Sequence, residues 1–331
     1  MLYAVLTITG FALGRLSAGW AASMLRGYDS GGLLECGGCQ RTVPAATRWF
    51  SLRPISCECG TRPVLWHLGS AVGLAVLFVG FGWLLLEAQC QSVSEVRPEL
   101  SLQASRLPFH LSLITLLWVA TLTDLLDYVI PDEVVMTGIV IAVIAAVSTG
   151  QLQMIHIWVN WDDVIPGVRG PYLPDWMKEH QHLHGLAWSL AGLLTGGSLI
   201  WLIRRISHMI LGQPAMGFGD VTLMAMVGAY IGWQPVLVTI ALAPLTGMVV
   251  GPLIRLATGR SFVAYGPYLA ASALIVISTW RWIWADHFSL RDIFSHWPSV
   301  LGLVLFSLVT LVALLGALRL FRSLPAERMK R

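Results

Sequence analysis

Two aspartates stand where the chain can least accommodate a charge. Asp220 lies in AMGFGDVTLMAMVG (residues 215–228), between glycines and an apolar run, and Asp124 lies in TLTDLLDYVIPDEVV (121–135), where another apolar run ends. An ionisable side chain at membrane depth is expensive, so each reads first as functional. Two carboxylates brought together cannot easily both ionise, and such a pair shares a proton. The ionised member can take a proton from an attacking water while the protonated member polarises a carbonyl, which is peptide hydrolysis without a metal or covalent intermediate. Gly217 and Gly219 carry no Cβ and let backbone come close to a substrate strand. A plainer reading stands beside this one: a solvated helix-end carboxylate at Asp124 and a helix N-terminal cap at Asp220. Asp127, Asp132 and Glu133 read as interfacial carboxylates.

A second set of chemistry-bearing residues is Cys36, Cys39, Cys57 and Cys59, spaced C-x2-C, seventeen residues, C-x-C. Four thiolates at this spacing suit a tetrahedral Zn²⁺, and the metal would fold a loop with little core of its own. His67 could replace one sulfur; the competing reading is free or redox-active thiols. Cys90 reads as lining a span end. His180, His182 and His184 alternate in EHQHLHG; in an extended segment they would share a face and could hold a metal, but before an apolar run they read as interfacial.

The elements that must position these residues are membrane helices. Hydrophobic residues make up 56% of the 331 and charged residues 12%, with a mean hydropathy of +0.71, so lipid is the solvent for most of the chain. The net charge of +3 is scattered between apolar blocks and marks no nucleic-acid surface. The first apolar block contains Arg15 and lacks a small-residue cleavage site, so it reads as a span and not as a signal peptide. Windows of about 20 apolar residues predict nine spans, near 3–24, 64–86, 107–126, 134–152, 185–203, 217–233, 235–254, 264–284 and 299–318, with WQP at 233–235 as the tight turn between the sixth and seventh.

The fold class is therefore an all-α polytopic membrane protein of eight or nine helices with a small cysteine-rich loop. The expected organisation is a first span and four-cysteine loop (1–63), a membrane core (64–285) with an insertion at 153–184, and an extra span with a basic tail (286–331). Trp158, Trp161 and Trp176 suggest that this insertion lies along the membrane surface. With the N-terminus outside, fourteen Lys and Arg fall on the cytoplasmic side and six on the other, which fixes the orientation. Asp124 and Asp220 then lie at the cytoplasmic ends of two different helices.

These stretches resemble the prepilin peptidases, membrane aspartyl proteases of the GxGD type. Asp124, Ile130, Pro131 and Asp132 match the family's D-x5-[I/L]-P-[D/N]. GFGDVTLMAMVGAYIGW at 217–233 matches GxGDxKLxAxxGxxLGW, and YGPYLAASALI at 265–275 is similar to its FGPFLA segment. The cysteine loop is similar to the family's two pairs around a WLxLRG stretch. The resemblance implies that Asp124 and Asp220 are the catalytic pair, flanked by Gly217 and Gly219. It implies removal of a basic leader from type IV prepilin-like or pseudopilin precursors at the cytoplasmic face of the bacterial inner membrane. Many members then N-methylate the product with S-adenosylmethionine.

Departures from the pattern are Thr222 in place of Lys, GRLSAG at 14–19 in place of GSFLNV, and a longer gap between the aspartates. The second of these bears on methylation more than on proteolysis. The competing functional class is a proton- or cation-coupled transporter using the same acids. It should show polar residues continuing through mid-membrane. An inactive relative that only binds pilin-like helices is the third reading.

Overall fold

Lipid leaves the backbone one economical choice, because every N–H and C=O must be satisfied within the segment. The computed structural model follows it throughout the apolar blocks and describes residues 1–27, 33–35, 42–44, 64–96, 104–159, 174–212, 216–258 and 264–323. Helix α1 spans Leu2–Gly27, α2 Val64–Leu86, α3 Arg106–Asp127 and α4 Asp132–Thr149. A short α5 (Asp175–Glu179) leads into α6 (Gln181–Leu211), then α7 (Phe218–Ile231), α8 (Trp233–Thr258) and α9 (Gly266–Arg281). A π-turn over Trp282–Asp286 and a short α10 (Leu290–Ser295) swing the chain into α11 (Trp297–Ser323). Among the described residues the only strands are β1 (Leu33–Glu35) and β2 (Thr42–Pro44), paired antiparallel with Leu34 opposite Val43. The protein is thus a multi-pass, essentially all-helical membrane protein.

Among the described residues, eight helices are long and apolar enough to cross a membrane. The ninth, α7, has 14 residues, about 21 Å at the helical rise, against a hydrocarbon layer of about 30 Å. It can be short because ten of its residues are buried in the bundle. Protein surrounds it, so it need not match the bilayer. Its N-terminus, where Asp220 sits, is consequently drawn inside the bundle.

Helix α6 makes this burial possible through a line of small residues. A Cβ on Gly192 would overlap the carbonyl of Gly228, and one on Gly228 would overlap that of Gly192. Gly196 meets the Met224 carbonyl and Gly185 that of Ala146 in the same way, while Ser189 Oγ donates to Ala229 O at 2.9 Å. Between helices in lipid, such close backbone approach supplies much of the attraction. Gly192→Ala is expected to lower stability by about 1–3 kcal/mol through overpacking. Gly316→Ala in α11, where a Cβ meets nothing within 4 Å, should not. Thermal unfolding of the two purified variants in one detergent checks the difference.

Several sequence expectations need correction. The turn between the sixth and seventh spans is made by Gly232 alone, at φ +85, and not by WQP. Trp233, Gln234 and Pro235 already form the first turn of α8, where proline's missing N–H costs nothing. The fifth span is longer than predicted and carries Arg204 and Arg205 within the helix. His182 and His184 lie in helix α6 just after His180 and do not form an extended segment, so alternate positions no longer share a face. Among the described residues no group of three metal-ligating side chains occurs. The start of the 153–184 insertion packs into the bundle, with Met154 and Ile155 fully buried. Trp158 stacks on Trp233, ring centroids 6.2 Å apart. Cys90 is buried with its thiol 3.6 Å from Ile277 O, and burial pushes that thiol up to about 12.

Candidate active site

Asp124 lies in the last turn of α3 and Asp220 in the first turn of α7, with 5% and 6% exposure. The two ends meet because of the turn that follows α3. Tyr128 adopts the left-handed conformation (φ 58) and its N–H closes the helix on Asp124 O. Pro131 then begins the next helix, where no N–H is needed, and Asp132 and Glu133 complement the positive end of α4. Between these stops the chain folds Ile130 back over the site. A Cβ on Gly219 would come within 2.9 Å of Ile130 Cβ, and one on Gly266 within 3.2 Å of Ile130 Cδ1 and against Asp124 Oδ2. Ile130 is therefore the apolar wedge that brings α3, α7 and α9 together.

Each carboxylate is held by one backbone donor. Gly266 N–H donates to Asp124 Oδ2 at 3.0 Å, and Gly217 N–H donates to Asp220 Oδ2 at 3.2 Å. The donors come from the N-terminal ends of α9 and α7, where N–H groups have no partner within the helix. Oδ1 of each aspartate has no hydrogen-bond partner among the described residues. The two carboxylates are close enough for the charge of Asp220 to act on Asp124. It acts on Tyr265 as well: burial first, and then that charge, push the phenol up to about 12, so Tyr265 keeps its proton. The pair thus has two fixed oxygens, two free ones, a neutral phenol alongside and apolar walls.

Asp127, Asp132 and Glu133 are exposed and outside this junction. Gly217 is exposed, and a Cβ there would meet nothing closer than 3.8 Å; the close approach at Gly219 is to Ile130 of the same chain. Thr222 bonds back to Gly219 O at 3.1 Å. A cation is nevertheless present at this end: Arg204 Nε donates to Met216 O at 3.1 Å, with its guanidinium 5.9 Å from the Phe218 ring. Cys36, Cys39, Cys57 and Cys59 lie outside the described residues.

Sequence reasoning missed Tyr265 and Gly266 as parts of the site. The available signal was a glycine followed by Pro267 at a helix start, ahead of an apolar run. Beyond Asp124, towards the opposite end, α3 buries Leu113, Ile114, Leu116, Leu117, Val119 and Ala120 in the same apolar core as Leu223, Met226 and Val227 of α7. Ser112 meets Tyr230 at 2.9 Å about three turns away; between them Trp118 Nε1–H donates to Ser70 Oγ at 2.8 Å, and Thr115 and Thr123 bond back to carbonyls of their own helix. A proton or cation pathway would need ionisable residues in that layer, and residues 113–123 of α3 and 221–229 of α7 include no Asp, Glu, His, Lys or Arg.

Residues 176–252 match the model of the type IV leader peptidase family; the segment includes Asp220 and not Asp124. The chain is 33% identical over 133 residues to a prepilin leader peptidase/N-methyltransferase of Neisseria gonorrhoeae, a stretch covering 35% of this chain and 46% of that protein. A protein of the same description from Pseudomonas aeruginosa is 33% identical over 101 residues, 30% of this chain and 33% of the other. Another from Pseudomonas putida is 26% identical over 182 residues, 53% of this chain and 50% of the other. The chain thus spans half or less of the length of these relatives. No solved structure matches it.

Proposed function

We propose, from the membership of the type IV leader peptidase family that residues 176–252 carry, that this chain is an intramembrane aspartyl endopeptidase. Its substrates on this reading are type IV prepilin-like or pseudopilin precursors, cut at the cytoplasmic face of the bacterial inner membrane. The observation that carries the proposal is the junction of α3, α7 and α9, where two buried carboxylates each keep one oxygen fixed by a backbone N–H and the other free.

In this mechanism one aspartate is ionised and one protonated. The ionised member takes a proton from a water as that water attacks the peptide carbonyl, and the protonated member donates a hydrogen bond to the carbonyl oxygen. Gly266 and Gly217 hold the aspartates in place, so little reorganisation is needed as charge moves. Exposed Tyr128, Val129 and Phe218 rim the site and suit the apolar helix that follows a leader. Arg204 and the bias of basic residues mark the cytoplasmic side, where the leader would lie.

The relatives' double name extends the proposal to N-methylation of the new terminus, with S-adenosylmethionine as donor. Co-expression with a pilin-like precursor, followed by intact mass of the product, tests both activities. Loss of the leader establishes proteolysis, and an added methylene establishes methylation. A precursor left uncut by wild-type protein across several pilin-like substrates overturns the peptidase reading.

The spacing of Cys36, Cys39, Cys57 and Cys59 supports a structural zinc. Full-length protein is expected to carry one zinc per chain. Cys36→Ser should lower both the metal content and the thermal midpoint more than the cleavage rate. Zinc-free protein that is active and stable would sink this part of the proposal.

A further inference from the structure

At the end of the bundle opposite the aspartates, a cavity of about 230 Å³ opens between the end of α2, the turn after it and the start of α3. Leu85 and Leu86 form its apolar side; Gln89, Gln91, Ser92 and Arg106 form the polar one. Arg106 and Gln91 are built into the protein and are not surface groups, with exposures of 4% and 1%. Arg106 donates one bond, to Gln153 O at 2.6 Å, and Gln91 Nε2 donates to Ile277 O at 3.0 Å. Each is left with a buried polar atom without a partner among the described residues: Arg106 Nε–H, a charged donor, and Gln91 Oε1, an acceptor.

A buried guanidinium without a counter-charge is expensive. The nearby carboxylate does not neutralise it. Glu95 is engaged by Trp284 Nε1–H at 2.7 Å and Ser94 Oγ–H at 2.8 Å, and no ion pair joins it to Arg106. His156, whose Nε2 faces Glu95 O at 3.1 Å, is also held down, to about 4: burial is the main cause and the charge of Arg106 adds to it. Imidazole there is neutral, so among the described residues no ion pair compensates the arginine's charge. The start of α3 adds the positive end of a helix dipole to the same cavity.

We infer that this cavity binds a phosphate ester, with an anionic oxygen held by the Arg106 guanidinium and a hydroxyl or amine of the same ligand on the polar side that Gln89, Gln91 and Ser92 line. Arg106 and Asp124 are 18 residues apart on α3, about 27 Å along the helix, so the cavity sits at headgroup level when the aspartates sit at the other face. Its volume is below the usual range of about 300–1,000 Å³ for small-molecule pockets and has room for a headgroup but not for acyl chains. The Leu85 and Leu86 side would meet those chains in the bilayer. A phospholipid headgroup and a water-soluble phosphate ester share this chemistry.

Native mass spectrometry of the delipidated full-length protein tests the inference, with phosphatidylglycerol, phosphatidylethanolamine, phosphate-free diacylglycerol and glycerol 3-phosphate as separate probes. One phospholipid is expected per chain and no retained diacylglycerol. Competition by glycerol 3-phosphate would identify a soluble phosphate ester as an alternative source; its failure to compete would identify the lipid. Arg106→Met should weaken binding at least about tenfold, as for loss of a hydrogen bond to a charged group. Ala104 also lines the cavity, and Ala104→Trp, which keeps Arg106 and obstructs the cavity, should weaken binding similarly; a monodisperse elution profile confirms the fold of each variant. Wild-type protein that takes up none of the three phosphate-bearing probes overturns the inference. So do monodisperse variants that bind phospholipid as wild type does.

Discussion

Replacing Asp220 or Asp124 by asparagine is expected to leave a folded, membrane-inserted protein that no longer removes the leader of a pilin-like precursor. The amide oxygen of asparagine can still accept the N–H of Gly217 or Gly266, so the junction of α3, α7 and α9 keeps its hydrogen bonds. What disappears is the exchange of a proton. An asparagine neither takes one from water nor gives one to a carbonyl, and general acid–base catalysis by a placed side chain is worth about 10²–10⁴-fold. Because the two carboxylates act as a unit, each single variant should lose nearly as much as the double variant. Intact mass of the co-expressed precursor reads the result directly. Near-normal cleavage by either variant removes that carboxylate from the mechanism. Equal loss with altered detergent elution would point to folding instead.

Gly266→Ala is the second variant with a large expected effect, and it tests positioning apart from protonation. Gly266 does not need glycine for its backbone angles. It needs glycine for space, since an added Cβ would press on Asp124 Oδ2 and lie 3.2 Å from Ile130 Cδ1. The carboxylate must move or the start of α9 must. A shift of about 1 Å at reacting groups can cost about 10²-fold in rate, whereas the overpacking itself costs about 1–3 kcal/mol of stability. Cleavage is therefore expected to fall far more than the thermal midpoint. Gly316→Ala in α11 is the matched control, because a Cβ there meets nothing within 4 Å and the residue is not part of the site. If Gly266→Ala cleaves as fast as wild type, the Gly266 donor is not part of the site.

The absence of ionisable side chains from residues 113–123 of α3 and 221–229 of α7, beyond the aspartates, favours the peptidase reading over transport on physical grounds. Both need a carboxylate at membrane depth, but only transport needs further ionisable groups beyond it. Leu113, Ile114, Leu116 and Leu117 fill that path.

The membrane class, a count of eight or nine helices and the two aspartates as candidates were legible in the sequence itself. Long apolar blocks have one hydrogen-bonding solution in lipid, and a carboxylate beside such a block is a strong local signal. Boundaries were less legible. The end of α7 depends on one glycine at φ +85, and α6 runs on through Arg204 and Arg205 because helical propensity does not stop at a charge. Only the tertiary structure decided what surrounds the acids. Ile130, Tyr265 and Gly266 reach the site from separate helix ends, and nothing in local spacing says that a turn at 128–131 will fold an isoleucine between them. The cavity beneath Arg106 is likewise a product of packing: its two orphaned polar atoms come from residues 15 apart in sequence, buried together where α2 and α3 meet. Local pattern records what each segment must bury, but contacts between segments depend on how the small residues of α6 let the helices close on one another.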